Sequence, residues 1–387
     1  MATAFTGRLI AQGNVGLASW GVDFLHNFVI PTGVRRGSPR RRVEGPAFAT
    51  PPNFNLHLRR LASHGAGILQ DMAYYLGIDA GATKTECALA QEDTILARVT
   101  SGTIKVMRAS TDEASHNLDT LLQAVSSQSK IPLNAIAATG VGLAGVSVTR
   151  IAEWVRQALH ARVSGEVVLS GDEVIALDAA FFGGPGVLVM AGTGSNMIGR
   201  SSDGQWIHVG GWGPVVADEG SGGWIGRRAV RAAFDALDHG ETALLLEAIL
   251  KTWGLSDEGE LIDFANQLPG PDFSKLAPLV VYCSEQGDRY ARRVLQQAGE
   301  DLATYAVLTA RRVQAIEPAV QGKSAAYPEI AFTGSILRHI APVREAMRDA
   351  IRRELPDARI QAEAVDSVQG ALWRARQHSK LDSRSTP

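Results

Sequence analysis

The chain has 387 residues, of which 45% are hydrophobic and 20% charged, and its formal net charge is −2. This length favours two packed domains, and the nearly neutral balance gives no support for binding to nucleic acid or to an anionic membrane. Two cysteines, Cys87 and Cys283, argue against a disulfide scaffold or an intrachain metal cluster. The low cysteine content is typical of a reducing compartment, so we expect a cytoplasmic protein. No run approaches the roughly 18 apolar residues of a membrane span.

The first 71 residues differ in composition from the rest. They hold eight arginines, no lysine and three acids, and "PTGVRRGSPRRRVEGPAFATPP" shows no sustained period. This composition predicts disorder, with a basic nucleic-acid-binding arm as the alternative. Because Met72 stands directly before "AYYLGIDAG", we expect residues 1–72 to be a disordered leader or a mis-assigned start, with Met72 as the working start.

The next part of the chain alternates between strand and helix patterns. Strands are predicted over residues 75–79, 85–90 and 94–99, followed by a helix over residues 112–125. A buried strand then begins near residue 135, and a helix covers residues 150–159. The segment "EVVLSGDEVIALDAAFF" predicts a strand, a polar turn and a helix.

After "GGPG" the same order begins again. "VLVMAGTGSNMIGRS" predicts a hairpin, a third strand follows near residues 206–208, and residues 221–316 are helical. "EIAFTGSILRHI" and "RIQAEAVDSVQGALWRA" each predict a strand, a turn and a helix. The repetition indicates an α/β protein with two similar halves, residues 73–185 and 186–377, and a frayed tail over 378–387.

Two glycine-containing turns each follow a predicted strand. The first is "DAGATKT" from Asp79 and the second "AGTGSN" from Ala191. Neither fits a Walker loop or a dinucleotide fingerprint, because both lead into a strand. Such turns can hold phosphate with backbone N–H groups, and two ordinary hairpins are the alternative. A carboxylate at the end of a buried strand favours a role for Asp79 in holding Mg²⁺ beside a polyphosphate.

Five motifs in order carry a resemblance to a known family. They are "LGIDAGATKTECAL", "GVGLAGV", "VLVMAGTGSN", "GGWGPVVADEGSGGWIGRRAV" and "EIAFTGSI". Together they resemble the BadF/BadG/BcrA/BcrD-type ATPase family, and within it the N-acetylglucosamine and glucosamine kinase branch of the sugar kinase, heat-shock chaperone and actin superfamily. The resemblance covers roughly residues 74–376.

The resemblance implies two ribonuclease H-like, actin-type ATPase lobes with a nucleotide cleft between them. It implies ATP and Mg²⁺ as cofactors, with Asp79 on the metal. The nucleotide contacts it implies come from three turns and the last helix: Gly81, Thr83, Lys84, Thr85, Gly192, Thr193, Gly194, Ser195, Gly334, Ser335 and Gly370. For Lys84 a solvated turn lysine is an equal alternative.

Phosphoryl transfer to a hydroxyl requires a base placed on the acceptor oxygen. Asp172 follows a strand at the start of a helix, and the same position in the kinase branch is the catalytic aspartate. A helix N-cap is the alternative for Asp172. We expect the neighbouring Glu173 and Asp178 on the helix surface.

Seven glycines lie between residues 210 and 226, which indicates a chain that bends closely around a ligand. The resemblance implies that Gly211, Trp212 and Asp218 contact the sugar, and Glu219 is expected to cap or support the helix beginning near Ser221. A simple core position is the alternative for Trp212.

One loop departs from the family pattern. The N-acetylglucosamine kinases have an asparagine after the third strand, whereas this chain has Lys105 in "SGTIKVMRAS". The sequence therefore does not identify which sugar is the substrate. The main hypothesis is a kinase that phosphorylates the 6-hydroxyl of glucosamine or N-acetylglucosamine with Asp172 as general base. The family resemblance also implies a homodimer. An ATP-binding regulatory or activator ATPase that acts on a protein partner is the alternative.

Overall fold

The computed structural model describes residues 73–81, 83–106, 109–143, 145–318 and 326–385, with side chains up to residue 379. The expected leader lies outside these residues. None of the described helices combines the length and the apolar character that a membrane span requires. The described part of the chain forms two β-sheets with helices around and between them.

The first half builds a five-stranded sheet in the order β3-β2-β1-β4-β5. Neighbours among the first three strands are antiparallel, and the last two strands run parallel to the first. The elements of this half are β1 (Tyr74–Ala80), β2 (Lys84–Gln91), β3 (Thr94–Gly102), α1 (Thr111–Ser129), β4 (Ile136–Leu143), α2 (Thr149–His160), β5 (Glu166–Ser170) and α3 (Asp172–Phe181).

The second half repeats the three-strand opening, as the sequence predicts. β6 (Gly186–Ala191), β7 (Ser195–Arg200) and β8 (Trp206–Gly210) form an antiparallel meander. β9 (Ile330–Thr333) pairs parallel to β6, which gives the order β8-β7-β6-β9. Two sheets of related order confirm the predicted α/β fold of two similar lobes.

The predicted helical region separates β8 from β9. It begins at Ser221, whose hydroxyl oxygen accepts a hydrogen bond of 3.2 Å from the Trp224 N–H and caps the first helix. Its helices are α4 (Gly222–Asp238), α5 (Leu244–Trp253), α6 (Glu258–Asn266), α7 (Ala277–Glu285) and α8 (Arg289–Ile316). After β9 come α9 (Ser335–His339), α10 (Ala341–Glu354) and α11 (Ser367–Ser385).

Alternate strand residues bury opposite faces of the first sheet. Leu76 and Ile78 of β1 pack with the helices α1 and α2 on one face. On the other face, Tyr75 packs with Val368 and Leu372 of α11. The last helix of the chain therefore completes the core of the first lobe.

Helix α3 makes the reciprocal contact. It follows the first sheet, but Ala176 and Leu177 pack against Leu188 and Ile198 of the second sheet. The two helices thus lie between the lobes and cross each other at Gly370, where a Cβ would lie 1.7 Å from the Ile175 carbonyl oxygen. Gly370 thus permits close packing of the two helices, and its nucleotide contact stays a prediction.

Two expectations differ from the structure. The strand predicted near residue 360 is reduced to a single bridge between Ile330 and Ile360. Arg348 Nη2 donates hydrogen bonds to the carbonyl oxygen of Gln361, at 2.8 Å, and to that of Ala362. These two carbonyl groups therefore do not continue a β-ladder. Helix α11 continues to Ser385, into the segment predicted as a frayed tail.

Candidate active site

The first glycine-containing turn joins β1 to β2. The Gly81 carbonyl accepts a hydrogen bond of 2.8 Å from Thr103 Oγ1, and Thr83 and Lys84 are exposed. Thr85 differs from the prediction, because its side chain is fully buried and its hydroxyl oxygen accepts a hydrogen bond of 3.1 Å from the Ile104 N–H. The Thr85 side chain therefore fixes the loop after β3 and does not face a phosphate.

Asp79 and Asp172 emerge at the same edge of the first sheet. The strand registers place Asp79 beside Gly142 of β4, and Gly142 beside Ser170 of β5. Asp172 is the first residue of α3 and is separated from the end of β5 only by Gly171. This edge holds the carboxyl ends of the three parallel strands, which is where α/β sheets generally bind ligands.

The Asp79 carboxyl is held in an unfavourable environment for a negative charge. Burial, followed by the charges of Asp172 and Glu86, raises its pKa from 3.8 to about 7, and Lys84 offsets this only in part. Asp366 adds a further negative charge. A cation at Asp79 would relieve this repulsion.

Asp172 shares its position with a second carboxyl. Burial, then a hydrogen bond and the charge of Glu173, raise the pKa of Asp172 to about 7, although backbone N–H groups of the first helical turn lower it. Gly171 is the N-cap residue of α3, so Asp172 is not the cap. Glu173 is half-buried and hydrogen-bonds to Asp172, so it contributes to the site as well as to the helix surface on which it is predicted.

An arginine that the sequence analysis does not single out joins the two halves of the chain. Arg98 of β3 donates two hydrogen bonds to the Asp366 carboxylate, of 2.6 and 2.7 Å, and one of 3.1 Å to Glu86. Glu86 also pairs with Lys84. Burial raises the pKa of Glu86, but the contacts with Lys84 and Arg98 outweigh this and lower it. These ion pairs form a network that runs from Asp366 through Arg98 and Glu86 to Lys84. Since Lys84 belongs to the first turn, the network ends there.

The sequence held a partial signal for this network. The hairpin register sets Glu86 directly opposite Asp79, and like charges in that arrangement destabilise a sheet unless a cation compensates. Arg98 lies on the neighbouring strand, two residues from the position opposite Glu86. No pattern in the sequence connects either residue with Asp366.

Asp178 also differs from its predicted place on the helix surface. It is fully buried, and its carboxylate accepts hydrogen bonds of 2.7 Å from Arg200 Nη1 and 2.6 Å from Arg374 Nε. Arg374 Nη1 continues to Ser170 Oγ at 2.9 Å. This cluster joins α3, β7, α11 and β5 behind Asp172.

The second glycine-containing turn joins β6 to β7 and is tied to the start of α4. The Gly192 and Thr193 carbonyls accept hydrogen bonds of 2.8 and 3.2 Å from the N–H groups of Gly222 and Gly223. Thr193 is exposed and Gly192 and Gly194 are half-buried. Ser195 is buried, and its hydroxyl donates to the Glu219 carbonyl at 2.7 Å. Its hydroxyl is thus used within the protein and not for the predicted phosphate contact.

The third turn, after β9, adjoins the second. Gly334 has φ of +96°, a conformation that favours glycine, and a Cβ there would lie 2.2 Å from the Ala191 carbonyl oxygen. Ser335 is exposed, and its hydroxyl lies 3.8 Å from the position of a Cβ on Gly192. The structure therefore brings the second turn and the Gly334–Ser335 turn together, as the sequence analysis predicts.

The charge of Lys84 in the first turn acts on the helix that follows the third turn. Burial, then the charges of Arg338 and Lys84, lower the pKa of His339 at the end of α9. Lys84 therefore lies near α9, which begins at Ser335.

The glycine-rich loop combines an exposed aromatic with a buried carboxylate. Trp212 is 73% exposed, so the alternative of a core position is wrong, and Gly211 is exposed beside it. Asp218 is buried, and its carboxylate accepts hydrogen bonds from the backbone N–H groups of Ser195 and Gly213. Asp218 therefore connects the second turn to the loop.

Glu219 takes a different role from the predicted one. Its side chain hydrogen-bonds to the Tyr305 hydroxyl of α8. The pKa of Tyr305 is raised mainly by burial, and the charge of Glu219 and this hydrogen bond raise it further. Ser221, and not Glu219, caps α4.

Asp79 and Asp172 are the carboxylates that the sheet edge offers to a metal ion. Among the described residues no group of three or more acidic, histidine or cysteine side chains is placed to chelate a metal ion. This arrangement still fits Mg²⁺, which is usually held by one or two carboxylates together with waters and substrate phosphates.

The arrangement of these elements defines a class of protein. Two sheets each open with a β-hairpin whose turn contains glycine, and two carboxylates, Asp79 and Asp172, lie at the edge of the first sheet. A solved structure from Chromobacterium violaceum, proposed to be an N-acetylglucosamine kinase, superposes with a TM-score of 0.59 at 28% identity and covers 78% of this chain and 98% of that one. The fold is that of the two-lobed, actin-type ATPases.

The family follows from the sequence. The sequence model of the BadF/BadG/BcrA/BcrD ATPase family matches residues 76–373, so the chain belongs to this family. An N-acetylmuramic acid/N-acetylglucosamine kinase of Clostridium acetobutylicum is 26% identical over 79% of this chain and 99% of its own length. An N-acetyl-D-glucosamine kinase of Dictyostelium discoideum is 25% identical over 79% and 98%. The predicted resemblance is confirmed.

Proposed function

We propose that the chain is an ATP-dependent kinase that transfers the γ-phosphoryl group of ATP to the 6-hydroxyl of an amino sugar. One observation carries the proposal: Asp172 stands at the start of α3, at the sheet edge it shares with Asp79, and its charge acts on Asp79 at the start of the first glycine-containing turn. The activities named for the Clostridium and Dictyostelium relatives support an amino sugar as the acceptor.

ATP is expected between the lobes formed by residues 73–185 and 186–377. Gly81, Thr83 and Lys84 would hold phosphate oxygens from one side, and Gly192, Thr193 and Gly194 from the other. Gly334 and Ser335 would line the adenosine side. Because Lys84 pairs with Glu86 in this structure, its use on a phosphate requires an exchange of partners.

Asp79 would hold Mg²⁺, and the ion would neutralise developing charge on the phosphates when bound. Its fit rests on the position of Asp79 at the sheet edge opposite Glu86, where burial and then the charges of Asp172 and Glu86 disfavour an uncompensated carboxylate. Arg98 keeps Glu86 and Asp366 charge-compensated beside it, so that Asp79 remains the carboxylate available to the ion.

Asp172 would accept the proton of the sugar hydroxyl. A pKa of about 7 suits this role, because the carboxylate is then partly ionised near neutral pH and basic enough to take the proton. Burial is the main cause of this raised pKa, and Glu173 would position Asp172 and raise its pKa further through a hydrogen bond and its charge. The exposed Trp212 offers an aromatic surface for the sugar, with Gly211 beside it and Asp218 holding the loop in place.

The test is ADP release by the full chain with Mg·ATP and a panel of hexoses and amino sugars, with Asp172→Asn as the inactive variant. We expect ADP release that depends on an amino sugar and falls by about 10²–10⁴-fold in Asp172→Asn. Phosphorus NMR of the product identifies the phosphorylated hydroxyl.

Two results would contradict the proposal. ATP hydrolysis that does not respond to any sugar would favour the regulatory ATPase. Sugar phosphorylation that persists in Asp172→Asn would retain the kinase but remove Asp172 as its base.

A further inference from the structure

The loop after β3 is fixed to the first turn by its backbone. Thr103 Oγ1 donates to the Gly81 carbonyl at 2.8 Å and accepts a hydrogen bond of 3.1 Å from the Lys105 N–H. Asn117 Nδ2 of α1 donates to the Thr103 carbonyl at 2.9 Å. The Cα of Lys105 is therefore held in place relative to Gly81.

The side chain of Lys105 extends to the end of β4. Its Cε and Nζ each lie 3.7 Å from the position that a Cβ on Gly145 would occupy. Gly145 follows β4, the strand between β1 and β5 in the sheet. The ammonium group therefore lies at the sheet edge from which Asp79 and Asp172 emerge.

This ammonium group has no compensating charge within the described part of the chain. Lys105 is half-buried, and no carboxylate of a described residue lies within ion-pair distance of its Nζ. The other lysine at this edge, Lys84, is already paired with Glu86. Keeping a partly buried cation without a partner costs free energy, which an anionic ligand would recover.

We infer that Lys105 binds a carboxylate substituent on the acceptor sugar and so selects an acidic amino sugar; this inference rests on the proposed kinase function. A single ammonium matches a single negative charge. Asp79 and Asp172 at the same edge disfavour a dianionic substituent such as phosphate, because they would repel it. Lys105 acts on specificity and takes no part in the proton transfer.

The experiment compares three sugars that differ at one substituent. N-acetylmuramic acid carries a carboxylate, its methyl ester has similar bulk without the charge, and N-acetylglucosamine lacks the substituent. Binding of each to the full chain is measured by calorimetry with a non-hydrolysable ATP analogue and Mg²⁺, and kcat/KM is measured in parallel. The variants are Lys105→Gln, which removes the charge, and Lys251→Gln, the same change at an exposed position on α5.

The charge-assisted contact predicts that the wild-type chain binds the acid about 10–100-fold more tightly than the ester. Lys105→Gln is expected to reduce this ratio to near one, and Lys251→Gln to leave it unchanged. In the kinetic measurements, the difference between the acid and the ester should appear in KM more than in kcat, because the Lys105 contact does not involve the transferred phosphoryl group.

An acid-to-ester ratio near one in the wild-type chain, or one that Lys105→Gln does not alter, overturns the inference. Either result leaves the kinase function intact when the neutral sugar still supports ADP release. Carboxylate-selective binding without ADP release would instead support the role of Lys105 in binding the carboxylate and contradict the proposed kinase activity. The two failures are therefore distinguishable.

Discussion

The Asp178 carboxylate lies 2.7 Å from Arg200 Nη1, and this buried pair joins α3 of the first lobe to β7 of the second. Arg374 Nε of α11 donates a hydrogen bond of 2.6 Å to the other oxygen of the same carboxylate. Two arginines therefore compensate one buried carboxylate where both lobes and both crossing helices meet.

Asp178→Asn removes the charge and leaves the buried guanidinium of Arg200 and the half-buried one of Arg374 uncompensated. We expect the free energy of unfolding to fall by about 3–5 kcal/mol. Urea denaturation followed by circular dichroism measures it. Asp349→Asn serves as the control, because its ion pair with Arg352 is exposed and little change is expected. Equal effects in the two variants would show that the buried cluster does not hold the lobes.

The pH dependence of turnover should report the Asp172–Glu173 pair. Because the base must be ionised, kcat is expected to rise with pH through about 7. Glu173→Gln removes a negative charge that raises the pKa of Asp172, so the rise should move to lower pH. Activity profiles between pH 5 and 9 measure the shift. An unchanged profile would mean that Glu173 does not set this pKa.

The raised pKa of Asp79 predicts a dependence of stability on pH. Asp79 is protonated in the folded chain but ionised in the unfolded chain between about pH 4 and 7. Its contribution to stability is therefore present below pH 4 and is lost as the pH rises through 7.

Asp79→Asn should accordingly be more stable than the wild type at pH 8 by on the order of 2 kcal/mol, with the gain disappearing near pH 4. Each pKa unit is worth ~1.4 kcal/mol at most, and solvent at the half-buried carboxyl reduces the value. Unfolding curves at several pH values, without Mg²⁺, measure it. A variant no more stable at pH 8 would contradict the raised pKa.

Arg98→Gln should weaken the binding of Mg·ATP. Without the guanidinium, Glu86 and Asp366 lose the cation that they share beside Asp79, and Lys84 is held more firmly by Glu86. We expect KM for Mg·ATP to rise about 10-fold, which corresponds to one charge-assisted contact. Arg311→Gln, which breaks an exposed pair with Glu354, is the matched control. Equal KM values in both variants would remove Arg98 from the site.

Trp212→Ala tests the proposed sugar surface. Since the side chain is 73% exposed, its removal should change the free energy of unfolding by no more than about 0.5 kcal/mol. KM for the sugar is expected to rise about 10-fold, and Trp212→Phe should restore part of the loss. Val215→Ala, at a position 97% exposed in the same loop, controls for loss of apolar surface. An unchanged KM in Trp212→Ala would place the sugar elsewhere.

Local pattern in the sequence was sufficient for the order of the strands and helices. Both β-hairpins, the capped start of α4 at Ser221 and the position of Asp172 after β5 follow from apolar runs, glycines and polar turn residues close together in the chain. The family resemblance added the pairing of the two lobes, which no local pattern contains.

Contacts between residues distant in the chain were decided by the tertiary structure alone. Asp178 meets Arg374 across 196 positions and Arg98 meets Asp366 across 268, so neither partner could be read from spacing. Thr85 and Ser195 have the composition of phosphate-binding residues, but folding directs their hydroxyls to Ile104 and Glu219. Gly370 lies against α3 because two helices from opposite lobes cross there. The sequence determined which groups the turns and helix ends offer; the packing of the lobes determined which of them are still free to meet a ligand.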